Sequence, residues 1–120
     1  MLTLDEAHEA LSEMIDELPG EILEGLNFGI CLVEEALFDD DGLVILGQYH
    51  VEPMGLGRYV TINYGSMALV HGHLSKSAFK KELRHVLHHE LTHHLESLAG
   101  DRSLEIQDEI DRGKYLGESG

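Results

Sequence analysis

The chain has 120 residues, enough for one domain with a modest core and too few for a second substrate-binding lobe of ordinary size. With 42% hydrophobic and 26% charged residues, its composition is that of a globular protein and excludes a fibrous or disordered class. Acidic residues outnumber basic ones by 23 to 8, and the formal net charge of -15 disfavours nucleic acid and anionic membranes as partners.

Cysteine usage and the N-terminus indicate the compartment. The single cysteine, Cys31, excludes an intrachain disulfide and a cysteine-based zinc site. The first residues lack a basic segment followed by an apolar run, and no apolar stretch approaches membrane-spanning length. We therefore expect one cytoplasmic domain, residues 1–120, that does not bind membranes, and the sequence leaves its oligomeric state open.

The first half of the chain predicts one helix followed by strands. Thr3 and Glu6 have the spacing of a capping box, which predicts a helix that begins at Leu4 and ends before Pro19. Residues 28–33 and 43–49 are predicted strands, separated by an acidic turn at residues 39–42. We expect Cys31 to be buried inside the first of these strands as a small apolar side chain.

A third strand is predicted at residues 58–64, because polar and apolar side chains alternate there. This alternation is typical of a sheet that is covered on one face, and such a strand can lie at the edge of its sheet. Residues 67–73 are expected to form a connection in which His71 and His73 face solvent.

A long helix is predicted from a cap at Ser75 or Ser77 to Ala99 and Gly100, and a last helix from about Ser103. At 100° per residue, one side of the long helix carries leucines and the opposite side carries histidines and a glutamate. The leucine side consists of Leu87, Leu91, Leu95 and Leu98, and the opposite side of His85, His89, His93 and Glu96.

This helix contains the sequence H-E-x-x-H at residues 89–93. His89 and His93 are one turn apart, so both imidazoles can reach one zinc ion at about 2.0–2.1 Å. Glu90 lies about a quarter-turn away, where its carboxylate can act as a general base toward water. The alternative is a chance match in a histidine-rich helix, but the separate leucine side favours a metal site.

The remaining histidines of the helix have other expected roles. His85 lies one turn before His89 and can be an outer-shell or substrate-facing group, whereas His88 is expected to pack or to meet solvent. His94 borders the leucine side, and we expect it to donate a hydrogen bond inward and to help fix the helix.

Residues 89–105, HELTHHLESLAGDRSLE, and residues 57–66, GRYVTINYGS, resemble the small bacterial zincin-like metallopeptidases known as minimal zincins. The resemblance covers the second half of the chain from Gly57. It implies an α+β zincin-like fold in which a small mixed or antiparallel sheet packs on a long active-site helix, with N- and C-terminal helices. It also implies that His89 and His93 bind zinc and that Glu90 is the catalytic base.

The third metal ligand is the point at which the chain departs from the family. Some members have the pattern H-E-x-x-H-x-x-G-x-x-D, but here Glu96 and Ala99 occupy the glycine and aspartate positions. A Gly-Asp pair follows two residues later, so Asp101 is the predicted third ligand. Glu96, on the histidine side, and Glu105, on the predicted last helix, are the alternatives.

We therefore predict a zinc-dependent metallopeptidase that acts on short peptides or unfolded proteins. In larger zincins an edge strand binds the extended substrate, and the strand at residues 58–64 resembles that element, although it can equally be an ordinary strand. Tyr64, His71 and His73 are candidates for the residue that stabilises the oxyanion. The main alternative is a non-catalytic metal-binding or protein-interaction module. Hydrolysis of a nucleotide or of RNA is a further alternative, and the charge argues against RNA.

Overall fold

The computed structural model describes residues 1–55 and 57–101 of the chain. Four helices and five strands are present in this part, together with a 3-10 turn at Pro53–Gly55. The helices are α1 (Leu4–Asp16), α2 (Gly20–Leu23), α3 (Tyr64–His71) and α4 (Lys76–Asp101). The strands are β1 (Ile30–Val33), β2 (Leu37–Phe38), β3 (Val44–Ile45), β4 (Gly47–Val51) and β5 (Arg58–Asn63).

Three of the strands form a mixed sheet in the order β1-β5-β4. β1 pairs with β5 in parallel, with Ile30 opposite Val60. β4 pairs with β5 antiparallel, with Tyr49 opposite Val60. The two-residue strands β2 and β3 form a separate antiparallel hairpin around the acidic turn, where Asp39 Oδ1 accepts hydrogen bonds from the backbone N–H groups of Asp41 and Leu43.

The core lies on the side of the sheet that faces α4. This helix contacts both β4 and β5, and it also contacts α1. α1 begins with the predicted capping box, in which Thr3 Oγ1 accepts from the N–H of Glu6 and the Glu6 carboxylate accepts from the N–H of Thr3. The buried side chains at the centre of this core come from α1, β5 and α4: Ala7, Leu11, Met14, Val60, Ile62, Phe79, Leu83, Leu87 and Leu91.

Ion pairs join α1 to α4 along their exposed sides. Glu6 pairs with Lys76 at 2.6 Å, Glu13 with Lys80 at 3.6 Å, and Glu17 with Arg84 at 3.2 Å. Because the residue numbers rise together, the two helices run in the same direction. Each exposed pair contributes little to stability, so the apolar contacts beneath them hold the helices together.

The sequence predicted the mixture of helices and strands and the small mixed sheet, but the edge position that it allowed for β5 is wrong. β5 is the central strand, paired on both sides, and not an edge strand. The predicted strand at residues 43–49 is also divided, because the chain leaves the hairpin after Ile45 and enters the main sheet at Gly47. Alternation of side chains indicates which face is covered and does not indicate how many neighbours a strand has.

Three further expectations require correction. Residues 67–73 do not form a loop, since α3 begins directly after β5 and extends to His71. Cys31 is exposed and not buried, because it projects from the face of the sheet that α4 does not cover. α4 continues past the expected stop at Gly100 to Asp101. The predicted last helix from Ser103 lies outside the described residues.

The prediction that the leucine side of α4 is buried is only partly correct. Leu87 and Leu91 are buried and Leu98 is half-buried, but Leu95 is 42% exposed. In the part of the chain that the structure describes, no helix combines the length and apolar character that crossing a membrane requires.

Candidate metal centre

The middle of α4 carries His89, Glu90 and His93 within five consecutive positions. The ring centroids of His89 and His93 are 4.6 Å apart, as expected for residues one helical turn apart. His89 is exposed, whereas His93 is 5% exposed and Glu90 is 1% exposed. The pair of imidazoles therefore lies at the boundary between solvent and core, with the carboxylate beneath.

Glu90 is an unusual residue for a protein interior. Among the described residues, neither of its carboxylate oxygens has a hydrogen-bond partner, although both are buried. Burial raises the pKa of Glu90 from its ordinary value of 4.5 to about 7. A buried carboxylate without a partner costs free energy, so its presence beside two histidines indicates a functional role more than a structural one.

β4 covers the side of α4 on which Glu90 lies. A Cβ atom placed on Gly47 would be 2.8 Å from Val86 Cγ1 and 3.2 Å from Glu90 Cγ, so only glycine allows strand and helix to approach this closely. The first residue of β4 is thus held directly against the candidate base.

β4 also has one free edge within the described residues, since only β5 pairs with it. The N–H of Asn63 donates to Leu46 O at 2.8 Å, and that of Glu52 donates to Gly57 O at 2.7 Å. In antiparallel strands, residue pairs that share backbone hydrogen bonds alternate with pairs that do not. Between these two hydrogen bonds, Gly47, Tyr49 and Val51 belong to the second type and direct their N–H and C=O groups away from β5. These backbone groups face away from β5, where an added strand can pair with them, and Gly47, the first of the three residues, lies against Glu90.

His94, the residue after His93, has the structural role that the sequence predicted. It is fully buried, and its Nε2–H donates to Glu24 O at 2.8 Å. Its Nδ1 therefore accepts from the Tyr49 hydroxyl, also at 2.8 Å. Burial lowers the pKa of His94, which keeps the ring neutral in this arrangement.

Arg58 extends this hydrogen-bond network to the sheet, and sequence reasoning missed it. Arg58 is 7% exposed, and its guanidinium donates to the Tyr49 hydroxyl at 3.0 Å and to the Ser97 hydroxyl. The available signal was its position in the strand, because Arg58 shares a face with Val60 and Ile62, which are apolar. A charged residue on the apolar face of a strand indicates a buried polar network.

The other histidines and Tyr64 lie away from the pair. His85 and His88 are exposed on α4. The Tyr64 hydroxyl, a candidate for stabilising the oxyanion, donates its proton to Leu2 O at 2.7 Å. His71 Nε2 lies 3.8 Å from Glu82, which is seven residues and about 10 Å along the helix axis before His89. His73 is exposed in the turn after α3.

The described residues do not include a complete metal site. Among them, no group of three or more His, Cys, Asp or Glu side chains is arranged to hold an ion. Glu96, half-buried, is on the same helix side as the two histidines. The backbone of Asp101 is part of α4. Because the helix is continuous over the eight residues from His93, Asp101 lies about 12 Å from His93 along the helix axis. The Asp101 side chain and Glu105 lie outside the described residues, so their roles stay predictions.

Comparison with known proteins identifies a relative among solved structures. No protein-family model and no curated protein matches the chain. A conserved hypothetical protein from Thermus thermophilus has the same fold, with a TM-score of 0.69 and 31% sequence identity. The match covers 82% of this chain and 99% of the other. The chain therefore belongs to the family of this T. thermophilus protein.

Proposed function

We propose that the protein is a zinc-dependent metallopeptidase with a zincin-like fold. The observation that carries this proposal is the buried Glu90 carboxylate, which has no hydrogen-bond partner among the described residues and is adjacent to His89 and His93. The residues fit a zinc ion in two respects. Imidazoles on adjacent turns are a common zinc-binding pair, and a cation beside a buried carboxylate compensates for its loss of solvation.

In this proposal His89 and His93 would hold the ion, and a third ligand would come from Glu96, Asp101 or Glu105. When bound, zinc supplies the positive charge that polarises a peptide carbonyl and lowers the pKa of water. Glu90 accepts a proton from the attacking water and donates it to the leaving amine nitrogen. In the metal-free protein burial raises the pKa of Glu90 to about 7, and a carboxylate with a raised pKa accepts a proton more readily than an exposed one.

The substrate site follows from the corrected position of β5. The central strand has no free edge, so an extended peptide would pair with β4 instead. Its outward N–H and C=O groups at Gly47 and Tyr49 would position the peptide backbone beside Glu90. Recognition of this kind uses the main chain, which favours short peptides and unfolded proteins over folded substrates.

The test combines metal analysis with cleavage of a mixed peptide library. The wild-type protein should retain stoichiometric zinc and cleave peptides. Glu90→Gln should retain zinc and lose cleavage by about 10²- to 10⁴-fold, because only the proton transfer is removed. His93→Ala should lose zinc and activity together. His88→Ala is the matched control, since His88 is an exposed histidine on the same helix.

Two results would contradict the proposal. A protein that binds no zinc after metal-replete preparation has no site of this kind. A protein that holds stoichiometric zinc but cleaves no peptide would instead be a metal-binding module. Zinc titration of Glu96→Gln, Asp101→Asn and Glu105→Gln identifies the third ligand, because the correct variant should lose affinity about as strongly as His93→Ala.

A further inference from the structure

The face of the main sheet that points away from α4 keeps solvent exposure at six of its seven strand positions. Because side chains alternate along each strand, this outer face carries the residues that do not point toward α4. Six of them retain solvent exposure, including Thr61 on the central strand. These six residues of the outer face are Cys31, Val33, Gln48, His50, Tyr59 and Thr61. The seventh, Asn63, is 3% exposed and donates its side-chain N–H to Ile45 O of β3.

Three rings form a continuous row across one end of this face. His50 lies directly opposite Tyr59 in the register, and the two rings stack with centroids 4.4 Å apart and planes 12° apart. Phe28 continues the row, with its centroid 6.2 Å from that of Tyr59, and it remains 57% exposed. Its ring lies over Gly57, where any Cβ atom would collide with it. We call this row, Phe28, Tyr59 and His50, the aromatic ridge.

The aromatic ridge is electron-rich and borders negative charge. Burial lowers the pKa of His50, and the nearby Glu52 carboxylate offsets only part of this effect, so the ring is neutral at pH 7. Glu52 follows His50 by two residues and continues the ladder to Gly57, so it lies on the same side. The only basic residue before Lys76 is Arg58, which is buried on the opposite face.

We propose that the aromatic ridge and Glu52 form a docking surface for a cationic segment of a partner protein. Arg or Lys side chains would stack on the exposed faces of Phe28 and Tyr59 and pair with Glu52. Charge selects this occupant. Nucleic acid and a second copy of the chain are both repelled, since the chain carries a net charge of -15. The surface lies on the other side of the sheet from Glu90, so the proposal is independent of the metal site.

Fluorescein-labelled tetra-arginine amide tests this proposal by anisotropy titration against the full-length chain. Wild type should bind it, with affinity that falls as salt rises, and should not bind tetra-glutamate. Phe28→Ala and Glu52→Gln should each weaken binding about two- to fivefold. Phe38→Ala and Asp40→Asn are the matched controls, because they remove an aromatic ring of similar exposure and an exposed charge from the β2–β3 hairpin.

Backbone amide shifts in NMR spectra locate the bound peptide, and thermal melts confirm that each variant is folded. Shifts confined to residues 28, 48–52 and 58–61 support docking on the aromatic ridge. Equal weakening by the control variants would show general attraction to an acidic surface and would overturn the proposal. Absence of binding would also overturn it, as would Phe28-dependent self-association in sedimentation velocity, which would make a second copy the occupant.

Discussion

Gly47 of β4 lies directly against Glu90 of α4, so close that a Cβ atom on residue 47 would come within 3.2 Å of the Glu90 Cγ atom. The same Cβ atom would be 2.8 Å from Val86 Cγ1, a separation that requires one element to shift. Gly47→Ala should therefore destabilise the protein by about 1–3 kcal/mol and displace the candidate base from the edge of β4. Chemical denaturation and peptide cleavage measure the two effects.

Gly20→Ala is the control for this substitution. A Cβ atom on Gly20 would meet no atom within 4 Å, and the residue begins the short helix α2. Its stability should change by less than about 0.5 kcal/mol. If Gly47→Ala behaved like Gly20→Ala in both measurements, the close approach of β4 to Glu90 would have no functional importance.

Glu90 should make the stability of the metal-free protein fall as pH rises. Folding raises its pKa from 4.5 to about 7, so folding favours the protonated form. The stabilising contribution is fully present below pH 4.5 and is lost as pH rises through 7, by up to about 3 kcal/mol. Glu90→Gln cannot titrate, so wild type should lose stability relative to this variant between pH 4.5 and 8.

Both proteins are unfolded with urea in the presence of chelator across that pH range. The difference between their free energies of unfolding cancels the titration of the other groups. Glu9→Gln, an exposed position on α1, should keep the wild-type pH dependence. A constant difference between wild type and Glu90→Gln would show that Glu90 has an ordinary pKa. Added zinc should reduce the loss in wild type, because a cation stabilises the ionised carboxylate.

The local features of the fold were predictable because local chemistry determines them. The capping box at Thr3 and Glu6 is a short-range hydrogen-bond pattern, and the structure has both of its bonds. The acidic turn that begins at Asp39 is equally local. Ser75 caps α4 through its hydroxyl, which accepts from the N–H of Ala78, so the start of the long helix was also correct.

Features that depend on distant neighbours were not predictable. Alternation of polar and apolar side chains in residues 58–64 indicates that one face of the sheet is covered. The central position of β5 depends instead on pairing with β1 and β4. Periodicity along α4 separated His89 and His93 from the leucines, but it could not show that Glu90 and His93 are both buried in the folded protein. The network of Arg58, Tyr49 and His94 joins three elements, and only tertiary structure assembles it.

Tyr49→Phe tests that network with a minimal change. Its hydroxyl donates to His94 Nδ1 and accepts from Arg58, so removing one oxygen deprives two buried groups of a partner. The free energy of unfolding should fall by about 1–3 kcal/mol. Tyr59→Phe, on the outer face of the sheet, should change it by less than about 0.5 kcal/mol. Equal losses would show that the network does not hold α4 to the sheet.

A pair of proline substitutions tests whether peptides bind to the free edge of β4. Val51 directs its N–H away from β5, whereas Gln48 belongs to a bonded pair with Thr61. Proline removes the N–H in each case. Val51→Pro should keep the fold and zinc binding but raise KM for peptide cleavage about two- to tenfold, the effect of one lost hydrogen bond.

Gln48→Pro should instead lose about 3 kcal/mol or more of stability, because it breaks the ladder between β4 and β5. Calorimetry and peptide kinetics distinguish the two outcomes. A Val51→Pro protein with unchanged KM would place the substrate elsewhere than this end of β4. Because Val51 lies at the opposite end of β4 from Gly47, the residue that contacts Glu90, such a result would leave the zinc measurements unaffected.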